Sequence, residues 1–153
     1  MKKILIIGLL LIFSKSSMAA GLINEMQSCQ ALIEFIDNKL DLAPSTYEQD
    51  DVNKVRKGLG TYNQYIQRQI VSPGLLQFNG GDKDKANQMQ KQVDTYKQTL
   101  VKQLEARYPK NRLFTDHAIA VNNCAKQAVP SGGELDELKE ALNLMVKLAK
   151  ISG

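Results

Sequence analysis

LINEMQSCQALIEFIDNKL, residues 22–40, places Leu22, Met26, Cys29, Ile33, Ile36 and Leu40 at successive spacings of 4, 3, 4, 3 and 4. Spacing of this kind returns an apolar side chain to one face of a helix and matches no strand pattern. Cys29 lies within that seam and therefore points inward. The segment stops before Pro44, where a helix cannot easily continue.

Upstream, Lys2 and Lys3 precede the apolar run Ile4 to Phe13, and Ser17 and Ala19 supply small residues at the −3 and −1 positions of a cleavage site. Ten apolar residues are too few to span a bilayer, which takes about 20. The pattern is that of a secretory signal peptide cut after Ala19, with no cysteine placed for a lipid anchor. Residues 20–153 then form the mature chain, of a size for one domain. Loss of Lys2, Lys3 and Lys15 leaves 17 basic against 16 acidic residues, so the net charge drops from +4 to +1. Nucleic acid is not expected as a partner, nor is a stable membrane anchor. The expected location is the periplasm or the exterior.

Export changes the reading of Cys29 and Cys124, the only two cysteines. An isolated pair in an oxidising compartment forms a disulfide. Closing a loop near 100 residues stabilises a fold by about 4.5 kcal/mol in the chain-entropy model. No C-x-x-C is present, and one His with two distant Cys is a poor zinc set.

Downstream, Ser45 and Glu48 have capping-box spacing, with Asp50 and Asp51 in the following turn. Val52, Val55, Leu59, Tyr62, Ile66 and Ile70 continue as one stripe. Gly58 and Gly60 interrupt it, implying either a bend or close approach of another element. Ser72-Pro73-Gly74 is expected to end the helix and open a loop to Gly81. That loop carries Leu75, Leu76 and Phe78, read as a lid over the bundle end or, alternatively, as a partner-docking patch.

From Asp82 a long helix is expected, with Met89, Val93, Tyr96, Leu100 and Leu104 inward and Gln88, Lys91, Gln92, Lys102 and Gln103 solvated. DKDKAN at its start fails as a calcium loop, because Asn87 and Val93 stand where glycine and glutamate are needed. After the basic turn at Pro109–Arg112, a shorter helix starts near Thr115 as its cap and carries His117, Val121, Cys124 and Ala128 on one face. Ser131 and Glu134 form a second capping box, and Leu135, Leu138, Leu142, Met145 and Ala149 mark a final helix. The fold class is all-α: an antiparallel bundle of four to five helices, with a disulfide joining the first and fourth mature helices. An elongated coiled coil is the competing architecture.

Catalytic signals are weak. Asp116 and His117 are helical neighbours that point about 100° apart, and Cys124 lies about 10 Å from His117 along the axis. The nucleophile-elbow pattern is absent. Asp50, Asp51, Glu134, Asp136 and Glu137 are explained by helix starts and solubility. Haem held between Met26 and His117 would need ligands that an antiparallel pairing separates by some 15 Å along the axis. No metal or cofactor is therefore expected. The function expected is that of a non-enzymatic cell-envelope interaction protein, an inhibitor, immunity-type or chaperone-like binder of another envelope protein. The alternatives are a carrier of haem or a small apolar ligand within the bundle, and an enzyme using His117.

Overall fold

The computed structural model describes residues 15–151, with side chains described from residue 20 onward. The signal-like residues 1–14 lie outside the described residues. Helices α1 (Lys15–Asp41), α2 (Gln49–Ile66), α3 (Ser72–Phe78), α4 (Lys83–Arg107), α5 (Thr115–Gln127) and α6 (Gly133–Ile151) make up the fold. Helices α2 and α3 are joined without a break by a π turn, Gln67–Val71, so the described residues form five rods.

Side-chain pairs fix the directions of the rods. Arg56 bonds Asp37 and Asp41 while Gln30 reaches Gln67, so α1 and α2 are antiparallel. Asp51–Lys147 and Arg68–Glu134 make α2 and α6 antiparallel as well. Cys29–Cys124 and Phe35–His117 do the same for α1 and α5. Helices α1, α2, α6 and α5 thereby close a four-helix ring, and α5 also packs on α6. Helix α4 stands outside it, parallel to α1, as Glu34–Gln98 and Asn38–Glu105 show. Its neighbours are α1 and α3 alone among the helices. The elongated alternative is thus replaced by a ring with one helix on its flank.

The core fills the ring with Met26, Phe35, Ile36, Val55, Tyr62, Ile66, Val121, Leu138, Met145 and Leu148, all fully buried. Gly58 settles the question its sequence raised. A Cβ there would stand 2.5 Å from the Glu137 carbonyl oxygen and 2.7 Å from Ala141 Cβ. Helix α6 packs against bare α2 backbone at this point, whereas a Cβ on Gly60 would meet nothing within 4 Å.

Several expected boundaries move. Pro73 does not end a helix. The Ser72 amide bonds the Gln67 carbonyl across the wider π turn, and Pro73 falls in the first turn of α3, where its missing N–H is not needed. The expected Ser72–Gly81 loop shrinks to the turn after Phe78. At the start of α2 no Ser45 capping box forms; Glu48 is the N-cap, without a side-chain bond. Tyr47 takes over the anchoring there, because its buried hydroxyl accepts the Leu113 amide. Thr115 is the first helical residue of α5 rather than its cap, a position held by Phe114. Glu134 extends to Arg68 in the π turn after α2, 3.3 Å away, instead of turning back toward Ser131. Tyr96 leaves the expected seam of α4 and is 51 % exposed, while Val101 is buried.

Candidate functional site

The inward-facing Cys29 meets Cys124 in a disulfide, Sγ–Sγ 2.04 Å and Cα–Cα 5.9 Å, joining the first rod to the fourth. No cysteine is left free. Antiparallel pairing from this bond brings His117 level with Phe35, since both lie one or two turns beyond it. Met26 is nine residues before Phe35 on α1, about 13 Å along the axis by helix rise. A His–Met haem pair is not brought together.

His117 is 2 % exposed and enclosed by aromatic rings. Its centroid lies 5.2 Å from Phe35, 4.8 Å from Tyr108 and 5.5 Å from Phe114, each edge to face. The Phe114 amide donates to Nδ1 at 3.3 Å, which ties the ring to the start of α5 and leaves the proton of the neutral imidazole on Nε2. Burial lowers the His117 pKa to about 4; the Asp116 charge opposes the shift and Lys39 adds to it. The ring is neutral at physiological pH. Among the described residues nothing accepts its Nε2–H.

Beside this ring lies a cleft of about 380 Å³. It lies over α1 between α4 and α5, which both pack on α1 but not on each other. Leu32 forms the floor, Leu100, Leu104 and Tyr108 one wall, and Ala120 and His117 the other. Gln103, Arg107 and Asp116 stand at the rim. Sequence reading missed this cleft. It assigned Leu100 and Leu104 to a buried seam, and periodicity has no term for a helix covered on one side only.

The three residues proposed as a partner surface separate. Leu75 is 3 % exposed and belongs to the core, Leu76 is half-buried, and Phe78 is 56 % exposed. Leu75 packs into the core and Phe78 stands at the surface. They share a shallow pocket of about 220 Å³ with Ala20, Ile23, Met89 and Val93.

The carboxylates are engaged between helices. Glu137 accepts from Lys57 at 2.8 Å and Thr61 at 2.9 Å, contacts that hold its pKa below the usual carboxylate value. Asp51, buried, pairs with Lys147 at 2.6 Å. They serve as rungs between α2 and α6, a role beyond the helix starts read from the sequence. Among the described residues no group of three His, Cys, Asp or Glu could hold a metal ion, and no helix is long and apolar enough to cross a membrane. No protein-family model, no curated protein and no solved structure matches this chain.

Proposed function

We propose that this is an exported, non-enzymatic binding protein of the cell envelope that engages another protein through the surface around Phe78. The supporting observation is an aromatic ring, 56 % exposed, beside a pocket lined by Ala20, Ile23, Leu75, Met89 and Val93 together with Asn24 and Gln27. Lone exposed apolar residues are ordinary, but here the surface continues. A second depression, about 460 Å³ between α1 and α4, adjoins it through Met89 and Val93 and reaches the exposed Tyr96, with Asn24, Glu25, Gln27, Ser28 and Gln92 also in its lining. The combined surface sets aromatic and apolar side chains among polar ones, and aromatic anchors dominate the energetics of interaction sites. Export is supported by the lysine-led apolar run at residues 2–13 and by a disulfide of the sort that persists in oxidising compartments. A cut after Ala19 would start α1 at Ala20, on the edge of the Phe78 pocket.

A photo-crosslinker at exposed Gln77, in the envelope of producing cells, tests this surface. A discrete protein adduct should form and disappear in Phe78→Ser. An adduct indifferent to that change, or none from Gln77 while one forms from Lys150 on α6, would reassign the surface. A carrier function is the second reading, favoured by the cleft beside His117. Catalysis by His117 has the least support, because aromatic rings enclose the imidazole and a backbone amide occupies Nδ1.

A further inference from the structure

His117 holds a buried N–H without an acceptor. Leaving such a donor unpaired costs about 1–3 kcal/mol, so each instance needs a reason. Edge-to-face contact with Tyr108 compensates only weakly. The same imidazole forms part of the wall of the α1–α4–α5 cleft, whose volume of about 380 Å³ falls in the range of small-molecule sites. The rest of the lining is Leu32, Leu100, Leu104, Ala120 and the Tyr108 ring, with the polar side chains of Ser28, Gln103, Arg107 and Asp116. A mainly apolar chamber with a few placed polar groups is the usual design of a ligand pocket.

We propose that this cleft binds a small, mainly apolar molecule carrying one carbonyl or carboxylate oxygen, which accepts the hydrogen bond from His117 Nε2. The apolar body rests on Leu32, Leu100, Leu104 and Ala120. Tyr108 is half-buried and lines the cleft with its ring against the imidazole. Nε2 is covered in the structure, so binding requires the Tyr108 side chain to move aside. Arg107 at the mouth, its guanidinium over the Tyr108 ring at 5.6 Å, favours an anionic head group over a cationic one. Asp116 moderates that preference without cancelling the need for an acceptor. This site gives the carrier reading specific residues, and it stands or falls independently of the Phe78 surface, which lies toward the other end of α4.

The chain has a single histidine, so one imidazole resonance reports the site. The disulfide-bonded protein is titrated with octanoate, methyl octanoate and octylammonium while the His117 Nε2–H and the leucine methyls are followed by NMR. Octanoate should shift the Nε2–H saturably at one per chain, the ester should do so more weakly, and octylammonium should leave it unmoved. Leu100→Trp, at a half-buried position, should fill the cleft and abolish binding with the helical content unchanged. His117→Phe should weaken octanoate by about tenfold, the worth of one net hydrogen bond. No saturable binding of either acceptor probe overturns the proposal, as does full affinity in Leu100→Trp. An Nε2–H that stays unshifted at saturation, or octylammonium binding as tightly as octanoate, overturns the hydrogen bond to His117. Should His117→Phe fail to fold, the wild-type resonance and Leu100→Trp decide alone.

Discussion

Helix α2 buries Val52, Val55, Leu59, Tyr62 and Ile66 in one face between α1 and α6, whereas α4, though longer, buries only Ala86, Val93 and Val101. In sequence the two carry similar apolar stripes. Their surroundings differ. Helix α2 has a neighbour on each side, charged rungs to α6 and a glycine where α6 backbone comes close. Helix α4 has α1 beneath it and α3 at one end. Its polar links to α1, Gln98–Glu34 and Asn38–Glu105, involve exposed or half-buried side chains. One stripe became core and the other became the wall of a cleft. Periodicity names the face a helix buries, and the number of neighbours decides how much of that face is left over.

The largest test of this contrast concerns the staple of the ring. Replacing both Cys29 and Cys124 with serine should lower stability to denaturant by up to about 4.5 kcal/mol, the entropy of a loop that spans 95 positions. A loss below 1 kcal/mol would mean that packing alone holds α1 to α5. Next, Tyr62→Ala should cost about 3–5 kcal/mol, since it empties a fully buried site and strands the Ala128 carbonyl that its hydroxyl bonds at 3.1 Å. Tyr96→Ala on α4 should stay within about 0.5 kcal/mol. Equal losses would break the contrast between ring and flank.

His117 sits where the two regions meet, and its effect depends on pH. The unfolded imidazole titrates near 6.5 and the folded one near about 4. Between those values the unfolded chain binds the extra proton. The stability gained by keeping the ring neutral is therefore complete above pH 6.5 and is lost as the pH falls toward 4. The loss is on the order of 3 kcal/mol. Urea midpoints at pH 7 and pH 4.5 should separate more in the native chain than in His117→Phe; equal separations would show that the ring titrates normally in the fold.

Two glycines of α2 that differ only in position give effects of opposite sign. Gly58→Ala should destabilise by about 1–3 kcal/mol, because its Cβ meets α6 backbone. Gly60→Ala should stabilise by about 0.4–1 kcal/mol, because its Cβ meets nothing. Thermal melts of the two variants should therefore move in opposite directions. Parallel shifts would mean that α2 and α6 are not in close contact at Gly58.

Much of the ring was legible from the sequence. The seam from Leu22 to Leu40 placed Cys29 inward, and the pairing with Cys124 followed from chemistry. The cleft was not legible. Leu100, Leu104 and Tyr108 carry the same marks as core residues, and only the divergence of α4 from α5 leaves them half open. Punctuation misled as well. Ser72-Pro73-Gly74 has every mark of a helix end, but the π turn before it supplies the one extra residue that lets the rod continue. Ser45 was a sound cap candidate, and Tyr47, docked under Leu113, set the start of α2 instead.

By itself the sequence determined the long helices, most of the faces they bury and the crosslink, because each depends on side-chain direction and chemistry within a few turns of backbone. Only the tertiary structure decided which helices close the ring, which one stays on its flank, and which carboxylate meets which lysine. Those outcomes depend on how the volumes of residues far apart in the chain pack together, and no local pattern records that.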